Sequence, residues 1–417
     1  MLEPLLLAFS EHLHSSQFRD LARHPDFPNA FTRERKLPLP SLLALLLSGM
    51  RKGIQGELDE FFAHLEQRAQ LERHVSERAF FSARAKLSPT AIPALNTWLV
   101  RQADASGFVP RWHGLRLVAA DASTLKFGHR ASHVPRAAST EQIAFGLYLP
   151  GAELMLAASL HGIHENERQM LFEHIDLLGS GDLLLMDRGY PCRWLVSLLN
   201  HRGISFCMRV EKAGNSGFAC VRDFLRSGRQ EQVVTLAAPD SADARDYECP
   251  AEPQTVRLVR HVASTGKVRV LMTNLFDQQR FPAAEFGDLY HQRWRIEEAF
   301  KRLKHRLNLE HVTGLSQLAA MQDFAAKIVC DNLQALATAA ATTQFPIEPN
   351  RRVNRAYAHT VLKPLLPALL LRFATVIDLL RNAMALIARK TFFNKRGLSK
   401  PRKKQDKPHK PMTQKPC

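Results

Sequence analysis

The sequence predicts an α/β protein with helical ends, and three observations carry that expectation. Short continuous apolar runs, Leu115–Ala120 and Leu183–Met186 among them, have the length and character of strands buried on both faces of a sheet. Segments with apolar residues at helical spacing lie before, between and after those runs. A chain of 417 residues also exceeds one small core, so two or three domains are expected.

Residues 1 to about 108 read as helical. Leu39-Pro40-Ser41 looks like a helix start, with Leu42–Met50 following; Glu57–Leu65 and Ser76–Leu87 are further helical segments. Ser76 is placed to cap the last of these, and Arg78, Arg84 and Lys86 give it positive charge. A helical cap on a neighbouring core and a DNA-binding module are both compatible with this region.

From Gly114 the pattern turns to strands. Leu115–Ala120 is followed by Ile143–Leu149 and Leu154–Leu160, which read as a hairpin across Pro150-Gly151-Ala152. Helical spacing returns over Glu167–Leu178, then comes the strand ending at Asp187, a helix from about Arg193 to Asn200, and the strand Ile204–Val210. Gln232–Leu236, Thr255–Val262 and Lys267–Asn274 form a second strand-rich stretch with a turn at Ser264-Thr265-Gly266. Arg257, Arg260, Lys267 and Arg269 alternate there with apolar residues, which suits either a solvated sheet face or one that meets a DNA backbone. Leu318 to about Thr342 is a long alanine-rich helix, and residues 346–390 are helical and basic.

Net charge is +17, from 57 basic and 40 acidic residues. Such an excess favours a polyanion, with nucleic acid the default partner. Eleven Lys or Arg against the single Asp406 fall between Arg389 and Cys417, where four prolines and few apolar groups predict disorder. That tail reads either as a solubilising appendage or as salt-sensitive DNA attraction. No apolar stretch reaches the length of a membrane span. The six cysteines show no metal-site or disulfide spacing, which fits a reduced cytoplasmic protein.

Chemistry concentrates late in the chain. Tyr290, Arg293, Glu297 and Lys304 stand at offsets of 0, 3, 7 and 14. On one continuous helix they share an arc of roughly 60°. Leu289, Ile296, Phe300, Leu303 and Leu307 form an apolar face beside them. Upstream, Asp121 closes one strand-like run and Asp187 closes another, where α/β folds place ligands at the sheet rim. Each aspartate alone reads equally as turn chemistry, with Gly189 supplying a positive φ after Asp187. His161, His164, Glu165 and Glu167 suggest a metal site at first sight but fall where surface polarity is expected. Trp294 is expected to be buried, and Glu298 to be solvated or paired with Arg302.

On these residues the chain resembles the DDE transposases of bacterial insertion sequences, in particular the IS-four family. Its Tyr-x2-Arg-x3-Glu-x6-Lys signature is matched without a gap by Tyr290, Arg293, Glu297 and Lys304, and Asp121 and Asp187 look like its two catalytic aspartates. The likeness runs from Phe31-Thr-Arg-Glu-Arg-Lys-Leu-Pro38 to about Leu336. It implies an RNase H-like mixed-sheet core, double-stranded DNA (transposon ends and target) as partner, and a homodimer in the synaptic complex. Cut-and-paste strand transfer and a nucleoid-associated location follow from the same likeness. Residues 1–108 would then be the helical N-terminal domain, 109–210 and 281–345 the two parts of the core, and 211–280 a β-rich insertion. Residues 346–390 complete it as a helical region and 391–417 as the basic tail.

The implied chemistry uses two divalent ions, Mg2+ or Mn2+, on opposite sides of the scissile phosphorus. Carboxylates suit such hard cations. Asp121 is expected to bridge both ions, with Asp187 and Glu297 each completing one site; Arg293 and Lys304 would grip flanking phosphates, and Tyr290 would pack or hydrogen-bond a phosphate. Two alternatives remain at this point: an RNase H-like nuclease without strand transfer, and an inactive DNA-binding regulator.

Overall fold

The computed structural model describes residues 1–33, 35–127, 136–210, 218–263, 266–372 and 376–393. In chain order, helices α1 (Leu2–His14), α2 (Ser16–Leu21), α3 (Leu39–Leu47), α4 (Ile54–Glu66), α5 (Glu77–Arg84) and α6 (Ala91–Ala105) come first. Strands β1 (Arg111–Trp112), β2 (Leu115–Lys126), β3 (Glu141–Leu149) and β4 (Leu154–His161) follow. Then come α7 (Glu167–Phe172), β5 (Asp182–Met186), α8 (Arg193–His201), β6 (Ser205–Val210), α9 (Ala219–Ser227), β7 (Glu231–Leu236) and α10 (Ser241–Asp246). Strands β8 (Gln254–Val262) and β9 (Val268–Thr273) lead to α11 (Phe286–His291), α12 (Trp294–Arg306) and α13 (Gln317–Gln344). The described chain closes with β10 (Arg351–Val353), α14 (Arg355–Leu362), α15 (Leu366–Leu371), α16 (Ile377–Arg389) and β11 (Thr391–Phe393).

These elements fall into two units. One comprises residues 1–108, 125–142 and 301–417; the other comprises 109–124 and 143–300. In the first, α3 is buried along its whole length, as its unbroken leucines require. Its start carries Pro40, whose missing N–H costs nothing in a first turn. Ser76 Oγ accepts from Ala79 N–H and caps α5, as its position predicts.

The charged groups of this unit's interior are paired. Arg84 donates to Gln322 and Thr313 and lies 2.9 Å from Asp323, with both charged side chains only 3% exposed. The positive charge expected on α5 is therefore partly consumed in the core. Asp331 is held by Arg302 and Arg355, and Glu57 by Lys363 and the N–H groups of Arg51 and Lys52. Burial pulls the Lys327 ammonium down to about 8, while its Nζ donates to the carbonyls of Asn308 and His311. Residues Thr391–Phe393 pair with Arg351–Val353 as a short ribbon; the remainder of the basic tail lies outside the described residues.

The second unit is organised on a mixed sheet of order β4-β3-β2-β5-β6-β9-β8-β7, with β1 also on β2. β3 and β4 are antiparallel, β2, β5 and β6 are parallel, and β9, β8 and β7 continue antiparallel from β6. The strand-rich stretch after Val210 thus extends the same sheet. Arg257 is fully buried there, paired with Glu231 and donating to the carbonyls of Leu275 and Phe281. Arg260 donates to the carbonyls of Arg229, Phe224 and Leu225. Neither guanidinium is presented to a DNA backbone, because β-alternation turned these two side chains onto acceptors within the protein. In the β3–β4 turn the positive φ falls on Glu153. Gly151 is needed because a Cβ there would come within 2.5 Å of Pro110 Cγ.

Candidate active site

Two parallel strands set the two aspartates side by side. β2 and β5 pair in register from Arg116↔Asp182 to Ala119↔Leu185. Asp121 and Asp187 each lie two residues beyond the last pair, so they share the sheet end and the same alternation. Arg116 fixes the register at the other end, with Nε 2.6 Å from Asp182 Oδ1 and Nη2 2.9 Å from Oδ2. Asp121 does not close its strand, as the apolar run suggested; β2 continues through it to Lys126. Asp187 does stand immediately past β5.

The Asp187 turn is tight. Gly189 N–H donates to Asp187 Oδ1 at 2.7 Å. Gly189 does not take the positive φ expected of it; a side chain there would place Cβ 3.1 Å from Asp187 Oδ1. Glycine is required for close approach to the carboxylate.

The third carboxylate comes from a broken helix. The run Tyr290–Lys304 is not continuous: α11 ends at His291, α12 starts at Trp294, and Arg293 sits in the joint. Successive i to i+3 bonds, Arg293 N–H to Tyr290 and Ile296 N–H to Arg293, tighten the chain there. One stripe of four residues on one helix is therefore corrected to two pieces meeting at Arg293. The apolar face is as expected, with Leu289, Ile296, Phe300, Leu303 and Leu307 all buried.

From this joint Arg293 reaches two acids. Its Nη2 is 2.8 Å from Glu297 Oε1 and its Nη1 is 3.7 Å from Asp121 Oδ2. The side chain is 5% exposed, and its guanidinium lies over the Trp294 ring at 5.1 Å. Trp294 itself is 38% exposed, contrary to the expected burial. Tyr290 is buried beneath Arg293, and burial pushes its hydroxyl up to about 12. Lys304 lies further along α12, in the part of the chain assigned to the other unit, half-buried; burial lowers its pKa and Glu310 opposes the shift. Glu298 is exposed and meets Arg295, while Arg302 is spent on Asp331.

Burial pushes the Asp121 carboxyl up to about 7; Arg293 opposes the rise, and Glu297 and Glu167 reinforce it. Glu167 is the residue that sequence reasoning passed over. Burial raises its pKa, Asp187 adds to the shift, and Arg293 opposes it. Its neighbours were read more nearly as they are: Glu165 is exposed and closes a local pair with His161 at 2.8 Å. His161, however, is buried, held also by Ser159. The usable signal for Glu167 was Asn166-Glu167, a cap and first helical residue directly after the strand pair, which Asn166 Oδ1 confirms by accepting from Arg168 N–H.

The donor set is carboxylate oxygen, which suits a hard divalent cation. A buried aspartate crowded by two other acids is also the electrostatic situation that a cation relieves. As the side chains stand, no three His, Cys, Asp or Glu groups among the described residues are gathered closely enough to hold one ion. Positive charge between Asp121 and Glu297 is supplied instead by Arg293. Among the described residues, no helix is long and apolar enough to cross a membrane.

Comparison with known proteins bears on this site. A family model described as a transposase DDE domain matches residues 112–333, the stretch that contains Asp121, Asp187 and Glu297. The transposase InsG of insertion sequence element IS4 from Escherichia coli K12 is 26% identical over 292 residues, 67% of this chain and 65% of the relative. The chain thus spans just under two thirds of that protein's length. Among solved structures, a piggyBac transposase synaptic complex with hairpin DNA aligns over 92% of this chain and 85% of its own, at 12% identity and a TM-score of 0.44. With the family match covering more than half of its length, the chain belongs to the DDE-domain transposases, within the IS4 family.

Proposed function

We propose that the protein cuts phosphodiester bonds at the ends of a DNA element and joins those ends to target DNA, with Asp121, Asp187 and Glu297 as its catalytic carboxylates. The observation that carries this reading is the register of β2 and β5, which sets Asp121 beside Asp187, together with the Arg293 bridge that draws Glu297 to Asp121. The strand order β4-β3-β2-β5-β6, antiparallel at β3–β4 and parallel over β2, β5 and β6, supports an RNase H-like core.

Two magnesium-class ions bound by these acids would supply activation of the attacking oxygen and stabilisation of the leaving one. Asp121 faces both Arg293 and the other acids and is the natural bridging ligand; Asp187 and Glu297 flank it. Asp187 is pre-oriented by the Gly189 N–H, which leaves its second oxygen for a ligand. Glu297 is oriented by Arg293, one bond being enough to fix its rotamer. Arg293 and Lys304 act on phosphates next to the scissile bond, Arg293 after exchanging a carboxylate for the substrate. Tyr290 supports the Arg293 guanidinium from below. The net charge of +17 gives long-range attraction for duplex DNA, and a second copy of the chain is needed to bring two ends together.

A supercoiled donor plasmid carrying candidate ends, incubated with the protein and Mg2+, tests the proposal. Excision followed by insertion is the expected result. Nicking without joining would leave a nuclease, and binding without cleavage would leave an inactive regulator.

A further inference from the structure

Besides the three acids matched by the family signature, the same sheet end holds a fourth. Glu167 opens α7 and lies within electrostatic reach of both Asp121 and Asp187. Its placement is built. Asn166 caps the helix at Arg168 N–H, and Arg168 Nε donates at 3.0 Å to the carbonyl of Gly189, inside the Asp187 turn. The first turn of α7 is thereby fastened to the turn that presents Asp187.

A second observation points to a ligand here. Tyr190, next in that turn, is fully buried, and its hydroxyl has no hydrogen-bond partner although Glu167, Asp121 and Asp187 all face it. Arg293 Nε is likewise buried and unpartnered. A buried hydroxyl without a partner costs about 1–3 kcal/mol. Aimed at three carboxylates, it is suited to hold one of them, or a water bound among them, once the acids close around a cation.

We propose that Glu167 is a fourth carboxylate of the cation-binding centre, positioned by Arg168 and Tyr190 to complete or orient the coordination begun by Asp121 and Asp187. This rests on the reading of the site given above. Glu167 lies on an element outside the three that carry the signature acids, so α7 would set the geometry of the centre independently of α12.

The test measures Mn2+ binding to the full chain without DNA, by the loss of the free-ion paramagnetic resonance signal. Glu167→Gln keeps the shape and removes the charge; it is expected to weaken Mn2+ binding by about 10–100-fold with unchanged thermal stability and DNA affinity. Tyr190→Phe, which removes only the orphan hydroxyl, should weaken it in the same direction and serves as the deciding variant if Glu167→Gln does not fold. Asp121→Asn is the reference. If it loses Mn2+ while Glu167→Gln and Tyr190→Phe bind as the parent does, the role of Glu167 is overturned and the three-carboxylate site stands. If Asp121→Asn also binds unchanged, the reading of the site falls with it.

Discussion

Arg116 grips Asp182 through two hydrogen bonds of 2.6 and 2.9 Å at the start of the two parallel strands whose far ends carry Asp121 and Asp187. Five residues separate grip from carboxylate on each strand. A one-residue slip would turn one aspartate to the opposite face of the sheet. The ion pair is thus a register pin for the site, although it touches nothing in it.

Removing the pin should therefore cost both stability and chemistry. Asp182→Ala leaves a mostly buried guanidinium uncompensated, a loss of about 3 kcal/mol. Urea denaturation should show a lower midpoint, and DNA cleavage should fall even at temperatures where the variant stays folded. A variant of parental stability would show that the pair does not secure the strands.

Asp121→Asn, Asp187→Asn and Glu297→Gln should each abolish cleavage in Mg2+ while leaving binding to duplex DNA largely intact. Gel-shift and cleavage assays on the same protein preparation separate the two. Normal turnover by any one variant removes that residue from the catalytic set.

The buried Asp121 also predicts a pH dependence. Its carboxyl titrates near 7 in the folded chain against 3.8 ordinarily, so the folded state holds the extra proton between those values. Stability from this group is complete at acid pH and lost as pH rises through 7, by an amount on the order of a few kcal/mol. Asp121→Asn should flatten the profile between pH 4 and 7 and be more stable than the parent at pH 8. Thermal melts across that range check it; parallel curves for the two proteins would contradict the assignment.

Arg293 is required as a fork. Arg293→Lys keeps the charge but cannot reach Glu297 and Asp121 together, so the two acids lose their alignment. Cleavage should fall about a hundredfold. A lysine variant with parental rates would mean that charge alone suffices.

In the helical unit, Arg84→Ala should cost about 3–5 kcal/mol, because Asp323 is then left buried and unpaired. The loss should appear in the unfolding midpoint, while the salt dependence of DNA binding by the folded protein stays unchanged. A shallower salt slope would return Arg84 to the list of DNA contacts.

Much of this was legible in the residues. Apolar runs and turn residues located the strands on either side of Asp121 and Asp187, and the insertion strands β7, β8 and β9 fall within a residue or so of their expected bounds. Such runs are local signals, set by side chains a few positions apart. What failed were statements about direction. Arg84 and Arg257 look like surface cations until Asp323 and Glu231 meet them from distant segments. Trp294 looks like core until the chain tightens at Arg293 and turns it outward. Glu167 looked like surface polarity because nothing within its own helix reveals that Asp187 stands opposite.

By itself, the sequence determined the family signature, the strand and helix order, and which acids and cations were available for chemistry. These follow from spacing along one chain. Only the tertiary structure decided that β2 and β5 pair with an offset that aligns Asp121 with Asp187. It alone placed Arg293 between two carboxylates and brought Glu167 and the Tyr190 hydroxyl to the same sheet end. The physical reason is that register, burial and charge proximity are set by packing between segments far apart in the chain, where local periodicity carries no information.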